Sequence, residues 1–157
     1  MSTKENKDLV LRYIQEVLNE GKVESVDSLC APELMIHLPH FPEMLRGREV
    51  LKQLIRYNRI VFPDGHVRVE DMIAERDKVS ARGTFRGTYH GAALERRIAD
   101  EVRPIVLVSG IDIFRILDGK MICEMWHEEN FIEALRQLGI PAVFPPELAL
   151  AKGLWQN

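Results

Sequence analysis

Cysteine is scarce in this chain: Cys30 and Cys123 are the only two among 157 residues, and they match no metal or redox spacing. That excludes a disulfide framework, and the pair reads as reduced core or interface thiols of a cytoplasmic protein. A long apolar run is missing too. The most hydrophobic stretch, Ile105 to Ile116, carries polar interruptions and is too short to cross a bilayer as a helix, so no membrane partner is expected. Nor is there an excess of basic charge: 21 Lys and Arg stand against 24 Asp and Glu, for a formal net charge of -3. Nucleic acid is therefore not an expected partner, because phosphate binding needs a concentrated basic face. The first residues, Met1 to Asp8, are too charged for a signal peptide. Repeats, low-complexity segments and linkers are absent.

The content that remains, 46% hydrophobic and 29% charged, is that of a globular chain. One domain over 1–140 is expected, followed by a tail over 141–157 whose Leu148, Leu150, Leu154 and Trp155 would cap a pocket or reach a partner subunit. Val10, Tyr13, Ile14, Val17 and Leu18 recur at helical spacing before Gly21, which predicts a first helix from about Lys4 to Glu20. A short helix from Val23 to Cys30, stopped by Pro32, and a short strand from Leu34 to Leu38 follow. Pro39 and Pro42 bracket a loop, and Gly47 precedes a third helix with Val50, Leu51, Leu54, Ile55 and Asn58 on one stripe. Beyond Phe62-Pro63-Asp64-Gly65 the period becomes twofold. Strands are expected from Val67 to Ala74, Lys78 to Tyr89, Pro104 to Leu117 and Lys120 to Asn130, with hairpin turns at Glu75-Arg76-Asp77 and Asp118-Gly119. A short helix ends near Gly139. Helices first and then a meander of long strands is the order of an α+β fold with a curved sheet and an internal pocket.

Asp112 stands out, a carboxylate between Ile111 and Ile113 in the most apolar strand. There it must be hydrogen-bonded, paired or protonated, because desolvating a lone charge is expensive. Two readings are open: a proton carrier tuned by burial, or a structural aspartate paired with Arg82 or Arg115. Alternation in the last strand puts Trp126, Glu128 and Asn130 on one face and His127 and Glu129 on the other, unless a bulge reverses them. His127 is the candidate proton carrier by its near-neutral ordinary pKa. Asn130 is a candidate donor to an enolate-like oxygen. Trp126 is read as pocket wall or core packing, and Glu129 as a substrate contact. His37, His40 and Glu43 have a spacing that suggests a metal site, but on a strand and a proline-bent loop they need not converge, and no metal is expected. His37 is placed instead along the pocket from the first strand, with Tyr57 and Asn58 of the third helix as further contacts. Apolar residues occur on both faces of the last strand, Met121, Cys123 and Met125 against Ile122 and Trp126. That predicts cover by a second subunit in a homodimer or higher homo-oligomer.

The run from Ser109 to Met121, then Glu124-Met125-Trp126 and Leu135-Arg136-Gln137-Leu138-Gly139, resembles the closing strands of SnoaL-like polyketide cyclases. Phe62-Pro63-Asp64, Val69-Glu70-Asp71 and Thr84-Phe85-Arg86-Gly87-Thr88 are similar to the middle of that family, so the resemblance covers roughly Lys7 to Gly139. It implies the cone-shaped fold of nuclear transport factor 2-like proteins, whose members include cyclases, isomerases, dehydratases, hydrolases and catalytically silent binders. It also implies acid/base chemistry without a cofactor. The family's key aspartate falls nine residues before the glycine, where this chain has Asn130, and its second polar residue, a histidine, aligns with Asp112. Tyr89 and His90 fall where the family often has a histidine before a glycine, here Gly91, so the resemblance implies further substrate contacts there. The function so implied is a cofactor-independent cyclase, isomerase or dehydratase acting on a hydrophobic, carbonyl-containing small molecule such as a polyketide-like metabolite. The competing readings are a non-catalytic small-molecule binder of the same fold and a hydrolase that activates a pocket water.

Overall fold

The computed structural model describes residues 2–39, 41–91, 103–118 and 120–140. Helix α1 (Thr3–Tyr13) starts at a capping box in which Ser2 and Glu5 satisfy each other's backbone N–H. Without a break the chain widens into a π-helix over Ile14–Asn19, so the single helix expected from the apolar stripe changes its pitch halfway. Gly21, at φ 69°, then turns the backbone. A 3-10 turn (Val23–Ser25) and the short α2 (Val26–Leu29) lead into β1 (Cys30–His37). This strand begins four residues earlier than its alternation suggests and includes Pro32. A two-residue strand β2 (Leu45–Arg46), which has no sequence signal, pairs with β1 before α3 (Arg48–Val61).

Four long strands follow: β3 (His66–Glu75), β4 (Lys78–Thr88), β5 (Ile105–Leu117) and β6 (Met121–Glu129), and α4 (Phe131–Gln137) is the last described element. Together they make one curved, mixed six-stranded sheet in the order β2-β1-β6-β5-β4-β3, with β1 parallel to β6 and the other neighbours antiparallel. The expected α+β architecture is the observed one. Its helices bury one face of the sheet: Val10, Tyr13, Ile14 and Val17 with Leu51 and Ile55 pack on Leu34, Ile36, Val79, Ala81, Phe114, Ile116, Ile122 and Met125.

Alternation in β6 is interrupted once. Arg115 pairs with Glu124 but Ile116 pairs with Ile122, which leaves Cys123 as the extra residue of a bulge. The apolar stripe expected from Met121, Cys123 and Met125 is therefore broken, and Ile122 shares the core face with Met125. Among the described residues no helix is long and apolar enough to cross a membrane. His40, the charged stretch between β4 and β5, Gly119 and the tail at 141–157 lie outside the described residues.

Candidate functional site

Past the bulge, Met125, His127 and Glu129 point to the helical side of the sheet, and opposite them on β5 lie Phe114, Asp112 and Gly110. These strand ends, α1 with its π-helical extension, and α3 enclose a cavity of about 410 Å³. Its walls are apolar: Ile36 from β1 and Leu38 just after it, Leu51, Leu54 and Ile55 from α3, and Phe62, Val67, Phe85, Phe114 and Met125. Phe62 and Phe85 meet edge to face at 5.1 Å.

The polar groups gather at the β5–β6 end. Asp112 and His127 are direct cross-strand partners, and His127 Nδ1 lies 2.8 Å from Asp112 Oδ1. On the other edge of the ring, Nε2 is 3.6 Å from Glu129 Oε2. Burial opposes the charged imidazole, but the hydrogen bond to Asp112 and the nearby Glu129 carboxylate outweigh it and push the His127 pKa from 6.5 up to about 10. His127 is thus an imidazolium near neutral pH, an acid rather than a base. Gly110 makes this cluster possible: a Cβ there would stand 2.9 Å from the Glu128 carbonyl and 3.6 Å from both His127 Cε1 and Glu129 Cβ.

One polar group was missed by pattern reading. Tyr13 belongs to the apolar stripe of the first helix, yet its ring, 2% exposed, also lines the cavity. Its hydroxyl donates to Met125 Sδ at 3.8 Å, a weak thioether acceptor. Burial pushes its pKa well above the ordinary tyrosine value, with Cys30 and Asp112 adding to the rise. It is a neutral donor at the cavity wall. Nothing in helical spacing distinguishes such a position from ordinary core. Arg59 also borders the cavity, but its guanidinium is engaged by backbone: Nη1 donates to the Pro63 and Gly65 carbonyls at 3.2 and 3.1 Å, and Nη2 to Leu18 at 2.7 Å and to Asn19.

Other expected contacts lie elsewhere. Trp126 and His37 do not line the cavity: they neighbour each other across β1 and β6 on the opposite sheet face, stacked at 5.0 Å, with His37 Nε2 2.9 Å from Glu124 Oε1. Simple alternation with His127 turns Trp126 away. Asn130 is not a cavity wall either: it N-caps α4, its side-chain oxygen accepting from the Glu133 N–H at 3.2 Å. Tyr57 lines the cavity mouth while 68% exposed. Tyr89 sits one layer back, edge-on to Phe62 at 5.5 Å. Asp112 is paired with His127, not with Arg82 or Arg115, and Arg115 reaches Asp77 and Glu124 instead. Among the described residues no group of three or more His, Cys, Asp or Glu is placed to hold a metal ion.

A profile of the SnoaL-like polyketide cyclases matches residues 8–138. Among solved structures, TsrD from Streptomyces laurentii superposes with a TM-score of 0.72 at 28% identity, covering 90% of this chain and 99% of TsrD. IdmH from Streptomyces antibioticus gives 0.71 at 26% identity over 86% of this chain and 99% of its own. A Bacillus cereus protein gives 0.71 at 28% identity over 90% and 87%. No curated protein sequence matches the chain significantly.

Proposed function

The chain belongs to the SnoaL-like polyketide cyclase family, and from that premise we propose that it is a cofactor-independent acid/base enzyme that enolises a hydrophobic carbonyl compound. The observation that carries the reading is the Asp112–His127 pair, 2.8 Å apart, opening on an apolar cavity of about 410 Å³. Asp112 orients the imidazolium through Nδ1, which leaves Nε2–H, on the ring edge beside Glu129, to meet a ligand in the cavity that His127 and Glu129 line. A carbonyl oxygen accepting that hydrogen bond has its developing negative charge stabilised, and a carboxylate of the cluster accepts the proton from the adjacent carbon. The enolate then closes a ring on a second carbonyl, or is reprotonated elsewhere to migrate a double bond or to expel water.

The test uses 2-tetralone, a bicyclic ketone with enolisable hydrogens, incubated in D2O and followed by NMR. The protein should accelerate α-hydrogen exchange, and Asp112→Asn should lower that rate by about 100-fold or more. Saturable binding with exchange no faster than in buffer would instead support the binding-protein reading. That alternative draws on Asn130, which serves as a helix cap where the family places an acid.

We further propose that the protein works as a homodimer through the outer sheet face. Ile105, Leu107, Ile111, Ile113 and Leu117 of β5 are 38 to 51% exposed there. They are flanked by acidic Glu124 and Glu128 on β6 and by basic Lys78 and Arg82 on β4. A two-fold axis along β5 sets acid against base around the apolar strip. Light scattering should give twice the 18.1 kDa chain mass, and Ile113→Glu should return the monomer. Both thiols, Cys30 and Cys123, are free, which supports a reducing, cytoplasmic setting.

A further inference from the structure

Resting on that enolising reading, we propose that Glu129, and not Asp112, is the carboxylate that takes the carbon-bound proton. Three titratable side chains of the β5–β6 end line the cavity: Asp112, His127 and Glu129. Their arrangement around the imidazole ring divides the work. Asp112 holds Nδ1 at 2.8 Å, on the ring edge away from Nε2, where it fixes orientation. Glu129 Oε2 stands on the Nε2 side at 3.6 Å, longer than a hydrogen bond but close enough to flank whatever Nε2–H holds. A carbonyl oxygen seated on Nε2–H therefore brings its α-carbon against Glu129.

Strand register supports the assignment. Met125, His127 and Glu129 share the cavity face, with Gly110 opposite Glu129 leaving room for its side chain, while Glu128 between them is exposed. The next polar residue, Asn130, commits its side-chain oxygen to the Glu133 N–H and so does not compete for the role.

The step balances as follows. The α-C–H bond breaks and its proton passes to a Glu129 oxygen. The bonding pair forms the C=C of the enolate, and the carbonyl π pair moves onto the oxygen held by His127 Nε2–H. In solvent exchange, Glu129 trades that proton with D2O and returns a deuteron to the same carbon.

The 2-tetralone exchange assay separates the possibilities when run on wild type, Glu129→Gln, Glu129→Asp and the double variant Glu129→Gln/Asn130→Asp. Each variant is first checked for an unchanged circular dichroism spectrum and 2-naphthol affinity. Glu129→Gln is expected to lower kcat about 100-fold or more with KM little changed, and to lose the acidic limb of the pH profile. Glu129→Asp should keep a measurable fraction of the rate, because the carboxylate survives. Adding Asn130→Asp to Glu129→Gln should restore nothing, since that side chain faces α4. Wild-type exchange with Glu129→Gln at full rate overturns this assignment alone, as does recovery in the double variant. Wild-type exchange no faster than buffer overturns the enolising reading itself, and the assignment with it.

Discussion

His127 and Asp112 are joined twice, as direct partners in the β5–β6 ladder and through a 2.8 Å contact between their side chains. The backbone pairing fixes the distance between their Cα atoms, so the side-chain contact needs little ordering of its own. Because His127 is held protonated up to about 10 against an ordinary 6.5, its charge stabilises the folded state fully below pH about 6.5. That contribution is lost as pH rises towards 10. The urea midpoint should therefore fall between pH 6 and 10, and Asp112→Asn should flatten this slope. An equally steep slope in the variant would show that another group titrates.

Phe114 anchors the cavity floor, 1% exposed and edge-on to Tyr13 at 5.7 Å. Truncation to alanine should cost about 3–5 kcal/mol in urea unfolding, through lost burial and the void left behind.

Tyr13→Phe separates stability from binding. Among the described residues the hydroxyl donates to a thioether, a weak acceptor, so unfolding free energy should change by less than about 1 kcal/mol. If the hydroxyl meets the ligand oxygen, 2-naphthol affinity measured by fluorescence should weaken by about 3- to 10-fold. Unchanged affinity would assign the tyrosine to the wall alone.

Arg59→Ala should be more damaging than a surface arginine change. It removes the links between the end of the π-helix, at Leu18 and Asn19, and the loop at Pro63 and Gly65. A loss of about 2–4 kcal/mol is expected from denaturant titration, given the strength of hydrogen bonds to charged groups.

Asn130→Ala removes the cap of α4 and should cost about 0.5–2 kcal/mol, whereas Asn130→Asp, an equally good N-cap residue, should be neutral within error in the same titration.

Periodicity carried much of this architecture. The stripe on α3 and the alternation of β4 and β5 are visible in the sequence because each of those elements buries one face, and Asp112 was conspicuous because it interrupts an apolar strand. Elements held by long-range contacts were not visible. The two residues of β2 exist only through pairing with β1, and the π-helical turn ends where Asn19 bonds both backbone groups of Val67. For Trp126 and His37 the sequence leaves the sheet face open for a different reason. Aromatic and imidazole side chains suit a pocket and an outer sheet face equally well, and only strand phase tells them apart. Asn130 was ambiguous because an amide can cap a helix as readily as it can face a ligand.

Strand phase, in turn, passes through Cys123. The bulge absorbs this one residue, so that Ile122 and Met125, an odd number of positions apart, both face the core, and His127 and Glu129 follow on the same side. Without Cys123, Ile122 would still stand opposite Ile116 and Glu124 opposite Arg115, now in unbroken alternation. The bulge is thus slack in the residue count, taken up before the strand reaches the polar cluster. A deletion at Cys123 should straighten β6 and leave that cluster in the cavity, whereas a deletion between Cys123 and His127 should turn it to the opposite face of the sheet.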